Sequence, residues 1–208
     1  SSAGGMELFD FRKNGGFLFK VSAQGNEIIL DVFHVLTDGY GAMTFLLSLT
    51  AEYLRMRYGA QIPSSGWILD PEQDPSYSEM EDSFDHFSGI KGEHDKETRA
   101  YHLKGTIGRH DVHDGVRVSI PIDQIRQKTK EMGCTVTEFI TATMLKSLQE
   151  VRRAKDPDSK LTSMKIEVPV CLRPIFGSVT LRNFSSYVHL GIDVRNGDLS
   201  FGDILEEV

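Results

Sequence analysis

The sequence predicts an α+β protein of two-layer architecture with mixed sheets. Short runs rich in β-branched and aromatic residues alternate apolar and polar positions at period two. Between them lie two long segments whose apolar residues recur at the helical spacing of three and four. At 208 residues, with 39% apolar and 25% charged side chains, the chain has the composition of an ordinary globular protein and the length for a sizeable core.

The elements follow in order. Residues 17–21 and 27–33 are β-rich runs, and residues 22–26, with Gly25-Asn26, supply the hairpin turn between them. Ile28, Leu30 and Val32 fall on one face of the second run, and Ile29, Asp31 and Phe33 on the other. A helix is expected over about residues 40–58, because Ala42, Phe45, Leu46, Leu49, Tyr53 and Met56 share a face. Leu47 and Leu54 widen that face, which predicts deep burial, and Gly59 is the stop signal. Residues 60–114 show no clean period and carry Pro63, Pro71 and Pro75. So long an irregular stretch is expected to connect two lobes, with one short helix near 78–88. Its aromatic residues Tyr77, Phe84 and Phe87 offer a means of pinning it to a lobe, but a solvated connector is the expectation.

Residues 115–120 alternate as a strand. Pro121 starts a helix to about residue 132, with Asp123 in its first turn and Gly133 after its end. Thr135-Val-Thr-Glu138 has the spacing of a capping box. It opens a helix on which Val136, Phe139, Ile140, Thr143, Met144, Leu148 and Val151 share a face. Asp156-Pro157-Asp158 marks a turn. Met164, Ile166, Val168 and Val170 alternate along a further strand, and residues 185–193 read as another. Residues 199–208 begin a helix.

Charge and composition exclude several function classes. The net charge is −7, and residues 70–97 alone hold ten acids against Lys91 and Lys96. The rest of the chain is close to neutral and has no basic stripe, so no nucleic-acid partner is expected. The longest apolar runs, such as residues 43–49, fall far short of the roughly 18 residues that span a bilayer, so no membrane span is expected. The opening Ser1-Ser-Ala-Gly-Gly5 is not read as a targeting segment. Cys134 and Cys171 lie in no CxxC and are read as free, buried, reduced thiols of a cytoplasmic protein. His86, His94 and His102, eight residues apart, fit no metal-ligand spacing, and no metal site is expected. Neither a Gly-x-Ser-x-Gly elbow nor a phosphate-binding glycine loop is present.

The pattern His-x-x-x-Asp-Gly occurs twice, at His34-Val-Leu-Thr-Asp38-Gly39 and at His110-Asp-Val-His-Asp114-Gly115. The second follows a polar loop and is read as coincidence. The first ends a hydrophobic strand and leads into an apolar helix. A short loop there can hold an imidazole rigidly, Asp38 can fold back to pair with a cation, and Gly39 can permit a tight turn.

With Phe33 before it, a strand upstream and a long helix downstream, the first motif resembles that of the CoA-dependent acyltransferase superfamily. This superfamily includes chloramphenicol acetyltransferase, alcohol acyltransferases and the condensation domains of nonribosomal peptide synthetases. The downstream order supports the resemblance: a capped helix, the strand over 164–170, Pro169-Val-Cys-Leu-Arg173, then Leu181-Arg-Asn183-Phe184. Together these cover most of residues 17–208. The resemblance implies two-layer lobes of the chloramphenicol acetyltransferase type, incomplete at both ends. Residues 1–60 would be the remnant of an N-terminal lobe, 61–114 an acidic crossing segment, and 115–208 the first part of a C-terminal lobe.

The implied chemistry is transfer of an acyl group from a thioester to a hydroxyl or amine, in a tunnel between lobes. Acyl-CoA or a phosphopantetheine thioester would be the co-substrate, with no bound cofactor. The partners implied are a small-molecule acceptor and, for a pantetheine donor, a carrier protein. His34 takes the place of the catalytic base, for which an imidazole titrating near neutrality is suited. Asp38 takes a structural place, held by an arginine that family order identifies with Arg173. Gly39 completes the motif, and Tyr40 and Asn183 are candidates for the substrate channel.

The sequence departs from the family in three respects. Phe33 stands where many members carry a first histidine. The motif begins at residue 34, far earlier than in two-lobed members, and the family's Asp-Phe-Gly-type segment is absent. The 208 residues alone are therefore expected to be inactive, with sheet edges open to self-association. The alternatives are a catalytically inactive condensation-like binding or scaffolding module, and an unrelated α+β interaction protein.

Overall fold

The computed structural model describes residues 10, 12–90, 97–106, 116, 118–160 and 162–208. The second His-x-x-x-Asp-Gly match and the opening five residues lie outside them, as do the middle of the acidic stretch and part of the expected strand at 115–120. Among the described residues the protein is mixed α+β, with seven helices and two antiparallel sheets of two strands each. The described residues within Glu7–Glu93 and Pro169–Ser186 form one compact unit. Those within His94–Val168 and Tyr187–Val208 form another.

In the first unit, β1 (Phe19–Gln24) pairs antiparallel with β2 (Glu27–Val32), with Phe19 opposite Val32 and Gln24 opposite Glu27. Only Gly25 and Asn26 form the loop. Gly25 sits at φ 59°, the left-handed conformation that a tight hairpin loop requires and that glycine adopts without steric cost. The short loop lets pairing extend through Ser22, Ala23 and Gln24, which the sequence had suggested belong to the turn. Helix α1 (Gly39–Tyr58) is capped by the Asp38 carboxylate and stopped by Gly59 at φ 63°. Its expected deep burial does not occur. Only Gly41, Thr44 and Ala51 are buried, while Met43, Phe45, Leu47, Tyr53 and Met56 are exposed. The hairpin supplies only two strands to cover a helix that is apolar on more than one side.

Two short helices replace the single one expected near 78–88. They are α2 (Tyr77–Met80) and α3 (Ser83–His86). Glu81 is extended at ψ 153°, and Asp82 then caps a new helix by accepting from the Phe84 amide. This stretch is not a solvated connector. Phe84 and Phe87 pack with Phe176 and the buried Phe184, at ring-centroid distances of 5.0–5.9 Å. Tyr77, by contrast, is exposed.

The second unit carries α4 (Ile122–Met132) and α5 (Val136–Lys155). Strand β3 (Ser163–Cys171) leads through α6 (Arg173–Phe176) to β4 (Ser185–Asp193), and α7 (Phe201–Glu207) ends the described chain. β3 and β4 pair with each other. The core of this unit is Ala142 and Leu145 of α5, Met164 of β3, Ile192 and Val194 at the end of β4, and Ile204 of α7. Gly191 allows the two strands their close approach, since a Cβ there would lie 2.4 Å from the Met164 carbonyl oxygen. Ala100 adds an isolated parallel bridge to Ser163. The strand expected at 115–120 is absent among its described residues, and Val116, Val118 and Ile120 are 95%, 71% and 55% exposed.

Candidate functional site

The motif region lies wholly within the first unit. Beyond β2 the Phe33 amide still donates to the Leu18 carbonyl at 2.8 Å, prolonging the hairpin by one rung. The chain then turns, closed by a bond of 2.9 Å from the Leu36 amide to the Phe33 carbonyl. His34 sits on this turn. It is exposed, and its ring makes no hydrogen bond or ion pair with any described residue. Three residues on, the Thr37 hydroxyl donates to the Leu181 carbonyl at 2.6 Å.

Asp38 follows, only 4% exposed. Its Oδ1 accepts from the Tyr40 and Gly41 amides at 3.0 and 3.2 Å, capping α1. Its Oδ2 accepts from Arg173 Nη1 at 2.8 Å and from the Phe184 amide at 2.9 Å. Burial pushes the carboxyl pKa up, but the bonds from Arg173, Phe184 and Gly41 outweigh it and hold it below its ordinary value.

Arg173 is equally enclosed, at 5% exposure. Nε donates to the Thr180 carbonyl at 2.7 Å and Nη2 to the Arg182 carbonyl at 2.6 Å. The guanidinium also lies 4.5 Å from the centre of the Tyr40 ring, on whose neighbourhood Trp67 packs at 4.6 Å. Burial disfavours its charge, and the bond to Asp38 reverses that and raises its pKa. A pair with this many satisfied hydrogen bonds is a structural joint: it fastens the start of α1 to Arg173, 135 residues away in sequence, and to the 180–184 loop.

The motif residues therefore separate into two groups. Asp38, Arg173 and Tyr40 are brought together, whereas His34 stands apart on its turn. Asn183 is half-buried, and its Oδ1 accepts from the Ser185 hydroxyl at 3.1 Å. Gly39 is the first helical residue of α1, and the space beside it is open. The glycine that the packing requires is Gly41, where a Cβ would fall 2.1 Å from Thr37 Oγ1 and 2.2 Å from the Leu181 carbonyl oxygen. Sequence reasoning passed over Gly41, Thr37 and the Phe184 amide. Only the second glycine of Asp38-Gly39-Tyr40-Gly41 gave a local signal.

A partly open cavity of about 330 Å³ lies between the hairpin, α1, the residues around α2 and the 181–182 loop. Leu36 and Thr37 line it, while His34, Tyr40 and Asn183 do not. Cys134 is half-buried and Cys171 exposed, so the expected burial of both thiols does not hold. Cys171 Sγ lies 3.5 Å from Arg173 Nη1, and both thiols are free. Among the described residues, no group of three or more His, Cys, Asp and Glu is arranged to hold a metal ion, and no helix is long and apolar enough to cross a membrane.

Chemically, the arrangement offers an accessible imidazole on a turn whose following residues are fixed. It offers no acid–base role for Asp38, whose carboxylate is fully engaged. Comparison with family models, with curated proteins and with solved structures returns no match for this chain.

Proposed function

We propose that the protein is an acyltransferase of the chloramphenicol acetyltransferase-like type. It would move an acyl group from a coenzyme A or carrier-protein thioester to a hydroxyl or amine, with His34 as general base. The observation that carries this reading is the buried Asp38–Arg173 joint, which anchors the residues directly after an exposed imidazole. A general base needs a free nitrogen on a positioned backbone. The imidazole takes the acceptor's proton as the acceptor oxygen or nitrogen attacks the thioester carbonyl. The tetrahedral intermediate then re-forms its carbonyl and expels the thiolate, and the imidazolium returns the proton to the sulfur. Asp38 stays ionised throughout, and no further cofactor enters the balance. A cytoplasmic location belongs to the same reading and is supported by the two free thiols.

A second reading is a catalytically inactive condensation-like binding or scaffolding module. Two observations favour it: Phe33 stands where many relatives have a first histidine, and no described residue orients the His34 ring. Thioester turnover with a panel of alcohols and amines decides between the two, measured on the complete natural polypeptide. His34→Ala is expected to lower the rate by about 10²–10⁴-fold while leaving the thermal melt nearly unchanged. An unchanged rate would remove His34 from the mechanism. A wild type silent with both CoA-bound and carrier-bound donors would favour the second reading.

A further inference from the structure

The cavity beside the motif turn has a lining with a definite chemical preference. Phe19, Leu30, Val32, Phe45, Leu69 and Leu181 give it apolar walls. Three side chains with polar groups also reach it, and each is already engaged. The Thr37 hydroxyl donates to the Leu181 carbonyl, Glu79 accepts from the Ser76 amide at 2.6 Å, and Arg182 lies 3.4 Å from Asp82. The surface facing the cavity is almost wholly apolar, and water in such a space finds few partners. A closed apolar cavity of about 150 Å³ stays dry and takes a six-carbon ring. The partly open cavity here, of about 330 Å³, has room for a linear chain of about ten carbons.

We propose that this cavity is a binding site for an aliphatic chain of up to about ten carbons. It opens beside the turn that carries His34, since Leu36 and Thr37, two and three residues further on, form part of its wall. That the chain belongs to the acyl donor rests on the acyltransferase reading; that the cavity takes a chain does not.

The test uses n-alkanols from butanol to decanol, titrated into the whole chain. Binding is read by calorimetry and by the fluorescence of Trp67, the single tryptophan, which packs on Tyr40 two residues before Ala42 of the cavity wall. Affinity is expected to rise about fourfold per added methylene and to level off near ten carbons. Ala42→Phe, which puts a ring into the space, removes the length dependence. Leu30→Phe is the second filling variant should the first fail to fold by circular dichroism. His34→Ala binds alkanols as the parent does, because it does not line the cavity. Absence of binding, or affinity independent of chain length, overturns the proposal and leaves the His34 chemistry to be judged by thioester turnover alone. Concentration-dependent dimerisation that excludes alkanols also overturns it, with a second copy as the occupant instead.

Discussion

One oxygen of Asp38 caps α1, and the other holds Arg173 and the Phe184 amide, so a single truncation strips three parts of the structure at once. Asp38→Ala leaves a guanidinium buried without its counter-ion, and urea unfolding should show a loss of about 3 kcal/mol or more. A loss under 1 kcal/mol, the scale of an exposed pair, would mean that the joint is not closed in solution. Asp38 also sets a pH signature. Its folded-state pKa lies below the unfolded value of about 3.9. The stabilisation is therefore complete above about pH 4 and is lost as pH falls through the folded-state value. Wild type and Asp38→Asn should differ in stability at pH 6 and converge in acid; parallel pH profiles would sink the linkage. The two glycines of the motif should part company in the same assay. Gly41→Ala forces a methyl against the Leu181 carbonyl and should cost about 1–3 kcal/mol. Gly39→Ala meets open space at a helical position and should stabilise by about 0.4–1 kcal/mol. Equal effects would refute the assigned close approach. Little of this was readable locally: Arg173 is 135 residues from Asp38, and only family order connected the two.

Elements were legible where the signal is short-range. Thr135-Val-Thr-Glu138 announces its helix because both partners of the capping box lie within one turn, and both bonds are present. Thr135→Ala should lower stability by about 1 kcal/mol, with amide exchange accelerating first in the opening turn of α5. Exchange unchanged there would show that packing, not the cap, holds that turn. Gly59 and Gly133 stop their helices at φ 63° and 69° for the same local reason. The strand at 115–120 shows the opposite case. Alternation reports that one face suits a half-buried sheet, but a strand exists only when a neighbour accepts its backbone bonds. The described residues there have no such neighbour, and their valines and isoleucine stay exposed. The split between α2 and α3 was equally hidden, because Asp82 reads as one more acid in an acidic run until its side chain is seen capping Phe84.

At the scale of the molecule, the sequence carried the α+β class but not the assignment of residues to units. Residues 169–186 follow the second long helix in sequence yet pack with the motif segment, drawn there by contacts that no periodicity reveals: Leu181 to Thr37 and Glu79, Thr180 to Glu81, Phe184 to Asp38. Among the described residues each of the two sheets has two strands, so β1, β2, β3 and β4 each present an edge that no described strand pairs, apart from the bridge at Ser163. Exposed apolar side chains accompany these edges: Phe19 and Val21 on β1, Tyr187 and Val188 on β4, and Val116, Val118 and Ile120 ahead of α4. Unpaired backbone beside apolar side chains favours association through added strands, and a net charge of −7 opposes it only weakly at physiological salt. Sedimentation of the chain should therefore show oligomers that grow with concentration and persist at high salt, where charge repulsion is screened. Val21→Lys on the exposed β1 edge should shift the distribution toward monomer, because a lysine there must be desolvated for a second strand to dock. The same lysine should leave the Asp38–Arg173 joint and its acid transition untouched, which separates blocked association from general unfolding. A monomer at all concentrations would sink the edge argument, and oligomers indifferent to Val21→Lys would move the contact away from β1.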